Sequence, residues 1–286
     1  MKLNIIVKAR VFLLTACIAA FLIIIPVHSQ TMTVHFLAVG HGDAVFLEFP
    51  NGSSMLIDGG SKAAGNYVSN YIQDLGYQRL DYLVVTHSHE DHLGGLMEVI
   101  EDLAVGQIWE CPYLERWELT EKYRELVTEK NIEVIEVYEG IVFIVDGLNV
   151  EILHPPRNSS LDELRGSNGA SVVLKITIGS TPLLFAADID NDTDKELAEK
   201  LGESLKAAVL KCAHHGSASS NSETFLTTVS PQIAVVSTGP SQWGYPDKRT
   251  LARIDENCEQ MFRTDEDGDI LLELDGETVT VIKPQP

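Results

Sequence analysis

Three observations predict an α/β fold of two sheets, each covered by helices on its outer face. Short β-like and helix-like segments alternate from residue 31 onward. The plan runs twice, once on each side of the polar, Pro-containing stretch 155–169, which reads as the seam between halves. No linker or low-complexity stretch divides the two runs, so they read as one domain. Composition agrees: 44% hydrophobic and 22% charged residues describe a globular chain with a core, not a disordered one.

The elements follow in order. Lys2, Lys8 and Arg10 precede an apolar run over 11–27, and Val27-His28-Ser29 offers small or tolerated residues before Gln30. Residues 1–29 therefore read as a secretory signal peptide, leaving a domain of residues 30–286 that is periplasmic or secreted. The run is at the lower limit for a membrane span, so an outward-facing N-terminal anchor is the competing reading. Leu14-Thr15-Ala16-Cys17 resembles a lipoprotein cleavage box, but cleavage there leaves an apolar mature end. Residues 33–39, 45–49 and 54–58 are β-like runs between glycine turns. Over 62–76, Tyr67, Val68, Tyr71, Ile72 and Leu75 recur at helical spacing up to a Gly76 cap. Residues 82–86 read as a buried strand and 93–103 as a helix. A charged amphipathic helix over 116–130 precedes β-like 132–137, 141–145 and 150–153. In the second run, 171–178 and 182–187 form a hairpin about Gly179-Ser180. Then come a helix at 192–201, strands at 207–211 and 233–237, a helix at 248–257, and strands at 270–274 and 278–282.

Charge and cysteine narrow the functional classes. With 21 Lys+Arg against 42 Asp+Glu the chain carries −21; a leader of three cations and no acids takes the mature chain to −24. Such a surface repels polyanions and lowers the case for a dedicated DNA-binding module, so phosphate chemistry needs a local positive centre. Beyond the leader stand Cys111, Cys212 and Cys258, with no paired spacing. They read as small buried apolar residues, not as a disulfide framework.

The chemistry is concentrated in loops after apolar strands. Thr86-His87-Ser88-His89-Glu90-Asp91-His92-Leu93-Gly94-Gly95 carries three of the nine histidines. His87 and His89 can converge on one metal as the strand frays, while Asp91 and His92 can face a second. Imidazole and carboxylate donors suit Zn, Mn or Fe. Gly94 and Gly95, lacking Cβ, let the backbone turn tightly behind the site. The apolar strand ending in Asp188 offers a bridging carboxylate; Asp190 nearby reads as a helix entry. Leu210-Lys211-Cys212-Ala213-His214-His215-Gly216-Ser217 ends another strand in adjacent imidazoles, which are expected to diverge. One of the two is then a ligand, with His214 the preferred one, and the other contacts the scissile group.

These motifs, with Leu56-Ile57-Asp58-Gly59-Gly60, resemble the metallo-β-lactamase superfamily. The resemblance is closer to the hydrolase-like domain of ComEC-type competence (DNA-uptake) proteins. Residues 36–44 look like that group's FLDVGQGDA opening, and 167–174 like its NNxSLVL segment. Residues 214–220 look like HHGSxxSS, and 263–270 like RTDxxGxI. The resemblance spans about 35–283 and implies a four-layer αββα sandwich with the metal site between the sheets at one edge. By motif it gives His87 and His89 to one metal, Asp91 and His92 to the second, and Asp188 to both. Asp58 would orient the His loop, Asn168 stands near the place of another superfamily histidine, and Asp43 would assist substrate or water. Two departures stand out: Tyr245 occupies the place of a histidine in the family's N-x-YGHP stretch, and His41 that of a usual Gln. A Tyr phenol can donate to a phosphoryl oxygen but is a poor metal ligand near neutral pH.

The resulting expectation is a metal-dependent hydrolase, a phosphodiesterase or nuclease using one or two Zn or Mn ions. Such ions lower the pKa of a bridging water. Asp91 and Asp188 would orient the hydroxide, and His214 or His215 would contact the scissile group. Short or single-stranded substrates suit the acidic surface better than duplex. The competing readings are a scaffold that keeps the fold, and a hydrolase of another ester or amide such as a lactam.

Overall fold

Strands that read as apolar runs need cover on both faces, and the central strands of the structure have it. The computed structural model describes residues 31–282, so the leader lies outside the described residues. Strands β1 (Met32–Phe36), β2 (Val45–Glu48), β3 (Ser54–Ile57), β4 (Arg79–Val85), β5 (Ala104–Glu110) and β6 (Glu133–Glu136) share one sheet. The second sheet holds β7 (Val142–Val145), β8 (Leu148–His154), β9 (Val173–Ile178), β10 (Thr181–Phe185), β11 (Val209–Lys211), β12 (Ile233–Val236) and β13 (Gln260–Arg263). Strands β14 (Ile270–Leu274) and β15 (Val279–Ile282) return to the first, on the far side of β1.

Both sheets are antiparallel at one end and parallel at the other. Strands β3 to β6 run parallel in the first sheet, and β10 to β13 in the second. Parallel neighbours need crossovers, and helices supply them. In the first half these are α1 (Gly65–Asp74), α2 (Glu90–Leu93), α3 (Leu96–Asp102) and α4 (Glu118–Glu129); in the second, α5 (Asn191–Leu201), α6 (Glu223–Val229) and α7 (Lys248–Glu256). On β10 to β12, Leu183, Phe185, Val209 and Val235 join the core shared with the first sheet. Their neighbours Leu184, Leu210, Ala234 and Val236 pack outward with Leu197, Phe225 and Ile254 of the helices. Phe36 and Phe185 stack across the gap with centroids 6.3 Å apart, and Trp109 and Phe143 at 3.9 Å. The predicted αββα sandwich is the fold observed.

Several expectations shift. The switch between sheets falls between β6 and β7, not at 155–169, because β8 pairs with β9 across that stretch. The helix expected over 93–103 breaks into α2 and α3 at Gly94-Gly95. A Cβ on Gly95 would lie 2.0 Å from the Gly59 carbonyl oxygen, so the backbones meet there as the glycines suggested. Strand β13 and helix α6 were not expected. Cys111 and Cys212 are buried free thiols and Cys258 a partly buried one. No helix among the described residues is long and apolar enough to cross a membrane.

Candidate metal centre

The parallel strands of both sheets end at one edge, where ligands gather in open α/β sheets. Asp58 follows β3, the His loop follows β4, Asp188 follows β10, and His214 and His215 follow β11. Asp58 is fully buried and takes a left-handed backbone (φ 57°). Its carboxylate accepts from the Thr86 amide at 2.9 Å, the Thr86 hydroxyl at 2.6 Å and His92 Nδ1 at 2.8 Å. These bonds tie the start of the His loop to the end of the first sheet and turn His92 Nε2 toward the second.

The donor atoms converge on one carboxylate oxygen. Asp188 Oδ2 lies 3.3 Å from His92 Nε2, 3.3 Å from His215 Nε2, 3.8 Å from His214 Nε2 and 3.9 Å from His87 Nε2. On one side His87, His89 and Asp188 hold their donor atoms within 4.8 Å of one another. There Asn168 Nδ2 approaches His214 Nε2 at 3.3 Å. On the other side Asp91 Oδ2 stands 3.2 Å from His215 Nε2, which lies 3.3 Å from His92 Nε2. His214 and His215 diverge as expected, their ring planes 72° apart, yet both stay at the cluster. Both adopt positive φ (48° and 50°), so the rings splay around Asp188 and both Nε2 atoms reach it.

Alternation along β11 has a second consequence. Val209 faces inward and Leu210 outward, so Lys211 points inward and is 2% exposed. Its ammonium pairs with Asp43, donates to the Ala187 carbonyl at 3.1 Å and stands 4.0 Å from Asp188 Oδ1. Asp43 also faces His215 Nδ1 at 3.4 Å and His92 Nδ1 at 3.8 Å. Asp43 therefore sits on the closed side of the cluster, under Lys211, and does not line the open cavity where a group assisting substrate was expected. His215 Nδ1 also meets the Ser237 carbonyl at 3.0 Å.

The electrostatics divide the imidazoles. Burial pushes His87 well below its ordinary range, with His92 adding to the effect; burial also lowers His89 and His214. Burial opposes charge on His92 and His215 too, but Asp188 and Asp43 outweigh it and hold both well above the usual range. Burial likewise disfavours the Asp188 carboxylate, yet His215, His92 and His214 keep it well below the usual carboxylate range. Asp43, Asp58, Asp91 and Asp188 stand around one ammonium, Lys211, so once His92 and His215 give up their protons to act as ligands three negative charges remain. One divalent ion leaves that group at −1 and two leave it at +1. Buried His87 Nε2 and Asp188 Oδ1 have no hydrogen-bond partner. Facing nitrogens, paired carboxylates and orphaned donors make a set that fits one or two divalent cations.

A cavity of about 360 Å³ opens over the cluster, lined by His41, His89, Asp91, Asn168, His214 and Tyr245 among others. Tyr245 reaches it as expected, its ring centroid 5.2 Å from that of His214. Three further residues escaped the sequence reading as site members. His41 Nε2 lies 3.2 Å from Asp91 Oδ2. Trp117 stacks on His89 at 5.5 Å with planes 4° apart. Trp243 lines the cavity while 67% exposed. The signal for His41 was its place in the Gly-flanked turn beside Asp43; for Trp243 it was its nearness to Tyr245.

The model of the Metallo-beta-lactamase superfamily matches residues 37–239, most of the described chain and both sides of the cluster. The chain belongs to that superfamily. Among similar proteins, competence protein ComA of Neisseria gonorrhoeae is 29% identical over 245 residues, covering 85% of this chain and 32% of ComA. ComE operon protein 3 of Bacillus subtilis is 24% identical over 273 residues, covering 89% of this chain and 34% of that protein. The chain thus spans about a third of the length of these relatives. Among solved structures, the metallo-beta-lactamase fold protein YhfI of Bacillus subtilis superposes with a TM-score of 0.57 at 14% identity, covering 85% of this chain and all of YhfI. That likeness concerns the fold.

Proposed function

We propose that this metallo-beta-lactamase-fold domain is a metal-dependent phosphodiesterase acting on short or single-stranded nucleic acid or similar esters outside the cytoplasm. One observation carries the reading: four imidazole nitrogens surround a single Asp188 oxygen at 3.3–3.9 Å beneath an open cavity. His87, His89, His214 and Asp188 would hold one ion; Asp91, His92, His215 and Asp188 a second. The donor set suits Zn or Mn. When bound, such ions stabilise charge on attacking and leaving oxygens and lower the pKa of water.

The chain's own groups do the rest. Asp58 fixes His92 through Nδ1, and Asp43 and the Ser237 carbonyl fix His215 through Nδ1, so both present Nε2 to the centre. Asp91, half-facing the cavity, orients the water that attacks. Asn168 and Tyr245 line the open side and supply neutral donors to phosphoryl oxygens. The similarity to competence proteins supports a phosphodiester substrate and an exported location, whereas the intact donor set speaks against a scaffold.

The test is an assay of the purified mature protein against bis-p-nitrophenyl phosphate, single-stranded DNA and a cephalosporin, with Mn and Zn added in turn. Hydrolysis of the phosphodiester is expected, with the single strand cut faster than a duplex of the same sequence assayed beside it. Turnover of the cephalosporin alone would establish a lactamase instead. No turnover together with no bound metal would establish a scaffold.

A further inference from the structure

We infer that Trp243 is a platform on which a nucleobase beside the scissile phosphodiester stacks, so that a base-bearing ester is preferred over a base-free one. The inference rests on the phosphodiesterase reading and adds the part of the substrate that is recognised. Trp243 lies in the loop joining β12 to α7 and is 67% exposed, the most exposed large apolar side chain among the described residues. Such a ring buries on the order of 150–250 Å² once covered, a large apolar area to leave in water.

Its position is specific. Trp243 lines the cavity over the metal cluster and also a second cavity, of about 450 Å³, walled by Pro240, Ser241 and Gln242. The two cavities share His41, Glu90 and Asp91, so Trp243 stands at the junction between the cluster and an adjoining lobe. A phosphodiester seated over Asp188 therefore carries its neighbouring group past the indole. The loop is braced locally: the Trp243 amide donates to Ser241 Oγ at 3.1 Å and the Gly244 amide to the Ser241 carbonyl at 3.4 Å.

Charge then selects the kind of contact. No Lys or Arg lines either cavity, while Glu90 and Asp91 line both. Lys211, the cation nearest the cluster, is buried on the closed side. Phosphates flanking the scissile one thus find no partner, and the usual electrostatic grip on a nucleic-acid backbone is missing. Stacking of a base on an aromatic face needs no cation and tolerates any of the bases. An uncharged planar group attached to a single phosphodiester is the ligand this wall accepts.

The experiment compares thymidine 5′-(p-nitrophenyl phosphate) with methyl p-nitrophenyl phosphate, which release the same chromophore and differ in the base-bearing group. Wild type should prefer the thymidine ester in kcat/KM. Trp243→Ala should cut that preference at least about fivefold, mainly through KM, and Trp243→Phe should keep most of it. In parallel, thymidine 5′-monophosphate should quench tryptophan emission of the wild type, ribose 5-phosphate should not, and Trp243→Phe should abolish the quench. An unchanged preference in Trp243→Ala, or equal quenching by both phosphates, would overturn the platform. Quenching by the nucleotide with neither ester hydrolysed would support the platform and sink the phosphodiesterase reading instead.

Discussion

The two sides of Asp188 are built from the same residue types and are electrostatically opposite. His87, His89 and His214 form a lobe in which burial keeps the imidazoles neutral and Asp188 is the nearest acid. His92 and His215 form a lobe in which Asp188, Asp43, Asp58 and Asp91 surround two rings held protonated. The difference teaches how a fold can prepare unequal positions with similar donors: the neutral lobe would offer lone pairs to an ion directly, whereas the anionic lobe would exchange protons for one. The anionic lobe should therefore bind the first divalent ion, and its affinity should rise more steeply with pH.

The largest expected effect comes from the group both lobes share. Asp188→Ala should reduce turnover to background and lower bound metal on both sides, as mass spectrometry of the purified protein would register. Full metal content with full turnover would remove Asp188 from the site. Next, His214→Ala and His215→Ala should each leave about one ion per chain, from opposite lobes. Only His215→Ala should flatten the pH dependence of the tighter ion in calorimetric titration. Indistinguishable variants would mean that the lobes are not separate.

Lys211 sharpens the comparison from the closed side. Lys211→Met leaves Asp43 buried without its ammonium and should cost about 3–5 kcal/mol in urea unfolding. The double variant Lys211→Met with Asp43→Leu should recover most of that stability. It should still bind metal about 10–100-fold more weakly, because His215 and His92 lose a carboxylate facing Nδ1. Recovery of metal affinity along with stability would confine the pair to a structural role.

The smallest effect concerns the support of the neutral lobe. His154 Nε2 donates to the Gly169 carbonyl at 2.8 Å, bracing the loop that carries Asn168, and burial holds its pKa at about 4. Its folded pKa lies below its unfolded one, so the unfolded chain binds the extra proton between about pH 4 and pH 6.5. Stability from this group is complete above pH 6.5 and is lost as pH falls through that window. The loss is roughly 2 kcal/mol between pH 7 and pH 5. His154→Gln, which can keep the hydrogen bond, should show a shallower acid dependence in unfolding titrations.

Much of this site was legible because its residues are contiguous at strand ends. The His loop, Asp58, Asp188 and the adjacent histidines each follow an apolar run, and strand ends at one sheet edge meet whatever the loop details. What could not be read came from distance and from backbone handedness. The positive φ values of His214 and His215, which let both rings reach Asp188, have no signature in the letters. Lys211 read only as the last residue of a strand, and it is the inward phase of Val209 that places it beneath the carboxylates. Helix α6, rich in threonine, has weak intrinsic propensity. It is held by Ser222, whose Oγ accepts from the Phe225 amide at 3.2 Å and donates to Asp194 at 2.5 Å. Strand β13 has only two apolar residues, Met261 and Phe262, side by side between polar ones, so neither an apolar run nor an alternation marked it.

With an ion bound, the seam between the sheets would also work as a clasp. His87, His89, Asp91 and His92 hang from the first sheet, while Asp188, His214 and His215 hang from the second. Neither half alone assembles the donor set, so an ion captured there is captured only by the closed sandwich. Ion binding and closure then become one equilibrium: every increment of metal affinity is an equal increment of resistance to prying the sheets apart. A chelator should therefore act on this molecule as a mild denaturant, loosening first the edge where the strands end.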